Sequence, residues 1–326
     1  MTVSFIIVAY NEEASINRLF EDIKRQDYSH EKIEVLLVDG NSTDATKELM
    51  YKFTKENVDF MNVVVLDNPK RTLPCGWNIA LDAAHGDVIL RVDAHASIPS
   101  DFISNNIRCL KSGEKICGGY RPNIIDEKTP WKKTLLLAET SMFGSSIAPY
   151  RRNNKKRYVN SIFHGAYCKE VFGKVGKYNE QLNRTEDNEI HYRMRKAGYR
   201  ICFDPSIISY QYIRNTLKTM LKQKYLNGYW IGKTAKICPK CLSIYHFVPG
   251  IFIIGIIITS ILAILHIWWC SCFMWGCYWG LAIIMTFVAI LSEREFWWTY
   301  LFLPILFFGL HIAYGLGTVN GIFSRK

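Results

Sequence analysis

The sequence predicts an α/β protein in which a mostly parallel sheet is followed by a C-terminal group of membrane-spanning helices. Short apolar runs rich in β-branched residues alternate with segments of helical periodicity along the front of the chain. Carboxylate-bearing residues follow the ends of these runs. From about residue 246 onwards, the 326-residue chain carries almost no charge, as helices that cross a bilayer require.

Four apolar runs are predicted to be the strands, at residues 3–10, 33–40, 62–68 and 87–94. Amphipathic segments at 11–26 and 42–53 are predicted to be helices between them. This alternation indicates βαβ units, and near-continuous apolar strands are expected to be buried on both faces of a parallel sheet. Because ligands of such sheets bind outside the carboxyl ends of the strands, we expect the site where Tyr10, Asp39 and Asp93 follow them.

The strand ends carry carboxylates where a dinucleotide-binding protein would carry glycines. No G-x-G-x-x-G follows the first strand, and the sequence contains no Walker loop. Carboxylates accept hydrogen bonds from a base or from ribose hydroxyls, and they hold a divalent cation against a diphosphate. The motifs therefore predict a nucleotide site of another kind.

The net charge of the chain indicates what kind of molecule it binds. The net charge of +11 and the pI near 9.1 predict an anionic partner. The sequence has no helix-turn-helix, RNP or zinc-finger pattern, so nucleic acid is the least favoured candidate and anionic lipid the simplest one. The ten cysteines are scattered and no secretory leader opens the sequence, so we expect a reducing, cytosolic compartment for the front domain.

Three apolar stretches are predicted to span a membrane, at 247–269, 272–291 and 297–317. Each approaches or exceeds the ~20 residues that a crossing needs, and aromatic residues crowd the boundaries. The basic stretch before the first span predicts a catalytic domain on the cytoplasmic side of the inner membrane. Three full spans would leave Arg325 and Lys326 on the other side, so either the charge bias is weak or one stretch is re-entrant.

Between these parts, residues 211–245 mix Leu, Met, Tyr and Trp with Lys and Arg. This composition favours a basic amphipathic helix in the membrane interface, and the alternative is an ordinary surface helix with a core face. We therefore predict a catalytic domain at 1–210, an interfacial segment at 211–245 and two or three transmembrane helices at 246–326.

Four motifs, in this order, resemble glycosyltransferase family 2: VAYNE (8–12), VDGNSTDAT (38–46), DAH (93–95) and TED (185–187). The run from RVDAHA through FHGAYCKEVFGKVGKYNE to AGYRICFDP resembles the membrane-anchored, ExoA-like enzymes that build bacterial exopolysaccharide. The resemblance covers roughly residues 1–230 and implies a GT-A fold.

The resemblance implies a nucleotide site formed by Ala9, Tyr10, Glu12 and Asp39, with Asp39 facing the uracil edge. Arg71 lies within reach of this site if its loop folds inward, and a solvated cation is the alternative.

Asp93 would bind the ribose or the metal–diphosphate unit. Where relatives often carry D-x-D, this chain has Asp93-Ala94-His95. A histidine ligand suits Mn²⁺ better than Mg²⁺, and a buried, packed His95 is the alternative.

Glu186 and Asp187 open a helical stretch, for which first-turn helix capping is the simple explanation. The resemblance implies instead that the TED motif supplies the catalytic general base, with Asp187 in that role. We expect the field of the helix N-terminus to keep Asp187 ionised.

His164 is predicted on the acceptor side, where it contacts sugar or simply packs. Gln223, Tyr225 and Trp230 resemble a loose form of the Q-x-x-R-W motif of processive relatives. The motif's arginine is missing, which favours transfer of a single sugar.

The predicted function is that of an inverting, metal-dependent, membrane-anchored glycosyltransferase using Mg²⁺ or Mn²⁺. It would move a sugar from a UDP-sugar to a lipid-linked saccharide in surface polysaccharide biosynthesis, alongside other assembly proteins. The alternatives are transfer directly to polyprenyl phosphate and a catalytically inactive GT-A scaffold or sensor. A transporter is disfavoured because the apolar stretches lack paired acids and bases.

Overall fold

A computed structural model describes residues 1–144 and 155–324. The strands are β1 (Val3–Ala9), β2 (Ile33–Asp39), β3 (Asn62–Asp67), β4 (Val88–Arg91), β5 (Ala96–Ser97), β6 (Ile116–Tyr120), β7 (Asn123–Ile124), β8 (Arg157–Val159), β9 (Ala166–Cys168), β10 (Ile201–Ile208) and β11 (Tyr210–Tyr212). The α-helices are α1 (Ile16–Lys24), α2 (Thr46–Glu56), α3 (Leu73–Ala83), α4 (Phe102–Lys111), α5 (Pro130–Thr140), α6 (Lys169–Val175), α7 (Glu186–Lys196), α8 (Leu217–Ile237), α9 (Val248–Ile264), α10 (Trp268–Leu291) and α11 (Leu303–Phe323).

The chain divides into two compact units. The first comprises Met1–Pro122 with Ala148–Gln211, and the second comprises Asn123–Ile147 with Tyr212–Lys326. The first unit thus ends next to the predicted boundary at 210, but residues 123–147 belong to the other unit. The reason is the burial of α5, whose apolar face packs with α8 and α11.

The first unit is built on an eight-stranded sheet with the order β3-β2-β1-β4-β9-β6-β10-β8. Strands β1 to β4 are parallel, β6 is parallel to β10, and β8 and β9 are antiparallel to their neighbours. The predicted α/β class with a mostly parallel sheet is confirmed. One detail differs: β3 is half-buried rather than buried on both faces, because it is the edge strand.

The loops that follow the strands meet at the carboxyl edge of the sheet. Ala9 pairs in register with Asp39, and Asp39 pairs with Asp67. The predicted helix at 11–26 begins only at Ile16, because the preceding loop is held by the loop after β2. The Asn11 amide donates to Ser42 Oγ at 3.1 Å, and the Glu12 amide donates at 2.7 Å to Oγ1 of Thr46, the first residue of α2.

Four non-glycine residues at this edge have φ in the left-handed region: Asn11 (54°), Asn41 (60°), Arg71 (59°) and His164 (44°). Asparagine and histidine are enriched in this conformation, whereas arginine adopts it less readily. Backbone of this kind concentrates at functional sites, which makes the carboxyl edge the place to look for one.

The second unit contains the three apolar helices, and Ile244–Ile264, Trp268–Leu291 and Trp298–Phe323 are each long and apolar enough to cross a membrane. The predicted spans are therefore present as helices. Arg325 and Lys326, whose charges help to predict the side of the membrane on which the C-terminus lies, are outside the described residues.

Helix α8 occupies most of the predicted interfacial segment, but α11 covers one of its faces. A Cβ on Gly228 of α8 would stand 2.0 Å from the Tyr314 carbonyl oxygen, and one on Gly317 of α11 would stand 2.0 Å from the Tyr225 carbonyl oxygen. Lys224 is buried and pairs with Glu139 at 2.7 Å. The lysines of α8 therefore do not all belong to an exposed basic face, and the interfacial placement of α8 stays a prediction.

Candidate active site

The residues predicted to bind a nucleotide come from three loops of the first unit. Asp39, 1% exposed at the end of β2, accepts a hydrogen bond from the Ser42 amide at 3.2 Å. Ala9 is buried at the end of β1, and Tyr10 is exposed beside it. Where the Asn41 amide oxygen faces Arg71, it accepts from Arg71 Nη2 at 2.8 Å. Arg71 therefore belongs to the loop cluster around Asp39, as it would if its loop folds inward.

Asp93 lies just beyond β4 against a histidine from another part of the chain. His164 Nε2 is 3.6 Å from Asp93 Oδ2, and its Nδ1 is 2.8 Å from Ser209 Oγ. Burial tends to raise the pKa of Asp93, but the nearby His164, with His95 and Arg91, lowers it well below its usual range. Burial lowers the pKa of His164. The His164 side chain is 1% exposed, so it packs against Asp93 within the first unit.

His95 and Glu12 form a carboxylate–histidine pair. His95 Nδ1 lies 3.2 Å from Glu12 Oε1, and His95 Nε2 lies 3.5 Å from Gln211 Nε2. Metal-binding histidines are commonly oriented by such a carboxylate. The predicted nucleotide role of Glu12 stays a prediction, since the contacts seen are with His95 and Ser15.

Residues 1–144 and 155–324 contain no group of three or more His, Cys, Asp or Glu side chains that could hold a metal ion. A magnesium-like site needs only one or two protein ligands when substrate phosphates supply the other oxygens. The Asp93 carboxylate and the Nε2 of His95, which lies 3.5 Å from Gln211 Nε2, fit that requirement. The pair Cys238 and Cys241, the only C-x-x-C of the sequence, belongs to the second unit.

At the start of α7, the side chains of Glu186 and Asp187 lie next to the buried Arg91. Arg91, the last residue of β4, donates from Nη1 to Asp187 Oδ1. Its Nη2 lies 3.8 Å from Glu186 Oε1. The helix is anchored behind them by His191, whose Nε2 is 2.8 Å from Tyr167 Oη, and burial lowers the pKa of this histidine to about 3.

Burial changes the titration of both carboxylates. Burial and the charge of Asp187 raise the pKa of Glu186 well above its usual range. Burial also raises the pKa of Asp187, although the charge and hydrogen bond of Arg91 oppose this shift. The contribution expected from the helix N-terminus stays a prediction, and Arg91 is the group whose charge and hydrogen bond favour the ionised form of Asp187 against the effect of burial.

Sequence reasoning missed Arg91, together with Trp77 and Tyr178, which enclose its guanidinium. It also missed Arg121, which is 2% exposed just beyond β6 and has its guanidinium 3.7 Å from the Phe163 ring centroid. The signal for Arg91 was present, because an arginine inside an apolar strand needs a buried partner.

Gln223, Tyr225 and Trp230 all lie on α8 in the second unit. Tyr225 lies at the contact with α11, where its carbonyl oxygen faces Gly317. Their acceptor-side role stays a prediction.

Three groups of side chains at the carboxyl edge of the sheet could each perform a different chemical task. Asp39 offers oxygen acceptors to a base or ribose, and Asp93 with His95 offers ligands to a cation that holds a diphosphate. Asp187 offers a carboxylate that can accept a proton. Together they suit activation of a hydroxyl group and departure of a nucleotide diphosphate.

Known proteins share both the sequence pattern and the fold. The family model described as "Glycosyl transferase family 2" matches residues 4–176, more than half of the chain. An enzyme of Methanococcus voltae named dolichyl N-acetyl-alpha-D-glucosaminyl phosphate 3-beta-D-2,3-diacetamido-2,3-dideoxy-beta-D-glucuronosyltransferase is 28% identical over 334 residues, which cover 98% of this chain and 97% of that protein. The succinoglycan biosynthesis protein ExoA of Rhizobium meliloti is 28% identical over 239 residues, which cover 71% of this chain and 69% of that protein.

Among solved structures, the mannosyltransferase PcManGT from Pyrobaculum calidifontis was determined with GDP-Man and Mn²⁺. It superposes with a TM-score of 0.61 at 16% identity, covering 99% of this chain and 88% of that one. At this identity the likeness concerns the fold, and it confirms the predicted GT-A architecture with a C-terminal helical part.

Proposed function

Because this chain belongs to glycosyl transferase family 2 and is a glycosyltransferase, we propose that it transfers a sugar from a UDP-sugar to a lipid-linked saccharide with inversion at the anomeric carbon. The observation that carries the mechanism is the Asp187 carboxylate bound by Arg91, at the same sheet edge as Asp93. Asp187 accepts the proton of the acceptor hydroxyl as its oxygen attacks the anomeric carbon. The new glycosidic bond forms while the bond to the diphosphate breaks, and UDP leaves with that electron pair.

Donor binding is assigned to the loops after β1 and β2. Asp39, buried and fixed by the Ser42 amide, would accept hydrogen bonds from the uracil edge. Ala9 and Tyr10 would line the base, and Arg71 beside Asn41 would add positive charge. This combination recognises a nucleotide without a glycine-rich phosphate loop.

Asp93 and His95 would hold a divalent cation, Mg²⁺ or Mn²⁺, which would supply positive charge for the departing diphosphate. The Glu12 carboxylate lies against His95 Nδ1, and a cation at Nε2 would take the place of the Gln211 amide, whose Nε2 lies 3.5 Å away. His164 Nε2 lies 3.6 Å from the same Asp93 carboxylate.

The chain has three helices that suit membrane association. We assign the catalytic unit to the cytoplasmic face of the inner membrane, on the basis of the basic residues before the first apolar helix. The Methanococcus voltae relative carries a dolichyl-linked acceptor in its name, and the Rhizobium relative belongs to succinoglycan biosynthesis. The first name supports a lipid-linked saccharide acceptor, and the second supports a role in polysaccharide assembly.

The test is sugar transfer by full-length protein in membranes, with a panel of UDP-sugars and with lipid-linked saccharide or polyprenyl phosphate as acceptor. Asp187→Asn should lower kcat by about 10²-fold or more, with UDP affinity nearly unchanged, because a general base contributes about 10²–10⁴-fold. Transfer to polyprenyl phosphate alone would replace the acceptor assignment. Near-normal turnover of Asp187→Asn would remove Asp187 from the mechanism.

A further inference from the structure

Arg91 stands in the middle of the acidic cluster, and its orientation is fixed independently of that cluster. The residue is 3% exposed, and its guanidinium carbon lies 4.6 Å from the Trp77 ring centroid and 5.5 Å from the Tyr178 ring centroid. Nη1 also donates to Tyr178 Oη at 3.1 Å. A desolvated guanidinium held by two aromatic faces and a hydrogen bond has little rotational freedom. Whatever this guanidinium binds at the start of α7 is therefore held in one place.

Asp187 and Glu186, the two acidic side chains next to Arg91, make different contacts with its guanidinium. Asp187 receives a direct hydrogen bond from Nη1, whereas Glu186 Oε1 stays 3.8 Å from Nη2. Glu186 is 2% exposed, and its Oε2 has no hydrogen-bond partner among the described residues. Asp187 keeps a side-chain exposure of 16%. The carboxylate that Arg91 binds is thus the one that can reach a substrate.

We propose that Arg91 is a positioning residue for Asp187, and that it makes Asp187 the charged member of the adjacent pair while Glu186 stays neutral. This inference rests on the proposed role of Asp187 as the base. It gives a role to Arg91, to which the sequence analysis assigned none, and it assigns a separate protonation state to the Glu186 that precedes Asp187.

Charge balance supports this division. One guanidinium compensates one buried carboxylate, and a second adjacent negative charge in a desolvated site is strongly disfavoured. A single proton on the pair removes the excess charge. The carboxylate with a direct hydrogen bond from Arg91 keeps its negative charge, so the proton resides on Glu186, in agreement with the strongly raised pKa of that side chain.

The competing explanation is that Arg91 only braces the fold between β4 and α7. Under that explanation, a substitution would lower stability and would impair transfer to the same degree whether or not Asp187 is present. Under the proposal, Arg91 acts through Asp187, so its effect on kcat disappears once the Asp187 carboxylate has been removed. A double-mutant cycle separates these cases because the two residues are in direct contact.

The experiment uses full-length protein in membranes, with UDP binding by calorimetry on the detergent-solubilised protein as the check on folding. Arg91→Lys keeps the charge but loses the planar fork, and it should lower kcat by about 10-fold or more while KM for the UDP-sugar changes by less than about 3-fold. In the Asp187→Asn background, the same substitution should change kcat by less than about 2-fold.

The neighbouring acids provide a matched pair of isosteric substitutions. Glu186→Gln replaces a neutral acid by a neutral amide. The kcat of this variant should therefore be at least about 10-fold higher than the kcat of Asp187→Asn. Equal losses in the two variants would contradict the assignment of the charge to Asp187.

Several outcomes would overturn the proposal while leaving the proposed function intact. Asp187→Asn could be nearly inactive while Arg91→Lys turns over at the wild-type rate, or the Arg91→Lys loss could persist undiminished in the Asp187→Asn background. If Arg91→Lys fails to bind UDP, Tyr178→Phe replaces it, since this change removes only the hydroxyl that accepts from Nη1. Tyr178→Phe should then lower kcat about 2–10-fold at constant KM, and a wild-type kcat would count against the inference.

Discussion

The two edges of the sheet each bury a glutamate, and the two glutamates titrate in opposite directions. Glu34 lies near the amino edge, at the start of β2, and is 1% exposed; Glu186 lies at the carboxyl edge and is 2% exposed. Burial tends to raise the pKa of Glu34, but hydrogen bonds from Ser4, His85 and Gly86 outweigh it and the pKa is lowered. At Glu186, burial prevails and the pKa is raised well above its usual range.

The difference lies in the donors that surround each carboxylate. Gly86 N donates to Glu34 Oε1 at 3.1 Å and His85 Nδ1 lies 3.2 Å from Oε2, so both oxygens are satisfied. Glu186 shares one arginine with Asp187 and has one oxygen without a partner among the described residues. A satisfied buried carboxylate stabilises a fold, whereas an under-satisfied one marks a functional site. We therefore propose that the amino edge serves stability and the carboxyl edge serves chemistry.

The largest expected effect is the loss of sugar transfer when divalent cations are removed, because only the carboxyl edge is proposed to need a bound cation. The carboxyl edge is proposed to use Mg²⁺ or Mn²⁺ at Asp93 and His95, whereas the Glu34 carboxylate is satisfied by hydrogen bonds from the protein itself. Excess chelator should abolish sugar transfer, and Mn²⁺ should restore it at least as well as Mg²⁺. Full transfer activity in chelator would eliminate the metal from the account.

A second effect concerns the donor site alone. Asp39→Ala should weaken UDP binding, and Asp93→Ala should weaken the binding of both UDP and Mn²⁺, each by about 10-fold or more because a buried hydrogen-bonding partner is lost. Calorimetry on the full-length protein in detergent measures both. Unchanged UDP affinity in both variants would locate the nucleotide elsewhere.

The smallest expected effect is a pH dependence of stability at the amino edge. The folded-state pKa of Glu34 is lowered, so its contribution to stability is present above its unfolded pKa of about 4.3 and is lost as the pH falls through the folded value. Glu34→Gln should lower the free energy of unfolding by about 1–3 kcal/mol at pH 7. Denaturant unfolding should show this difference shrinking in acid, and a difference that grows in acid would reverse the assignment.

The sequence predicted the fold because its strands are nearly pure apolar runs and its carboxylates follow their ends. Asp39, Asp93 and Asp187 could be singled out from motifs that are local in the chain. Arg91 and His164 could not be assigned their partners, because those contacts join residues 96 and 71 positions apart. The packing of α11 against α8 was missed for the same reason. The glycines of α8 allow α11 to approach closely, but the sequence alone does not indicate that these two helices are in contact.

The most direct test of the division between the edges measures kcat and the free energy of unfolding together for Glu34→Gln and Asp187→Asn. The account predicts that Glu34→Gln loses stability while its folded fraction turns over at about the wild-type rate. Asp187→Asn should keep its stability and lose about 10²-fold or more in kcat. If Asp187→Asn retained its turnover, or if Glu34→Gln lost turnover without losing stability, the assignment of chemistry to the carboxyl edge would be contradicted.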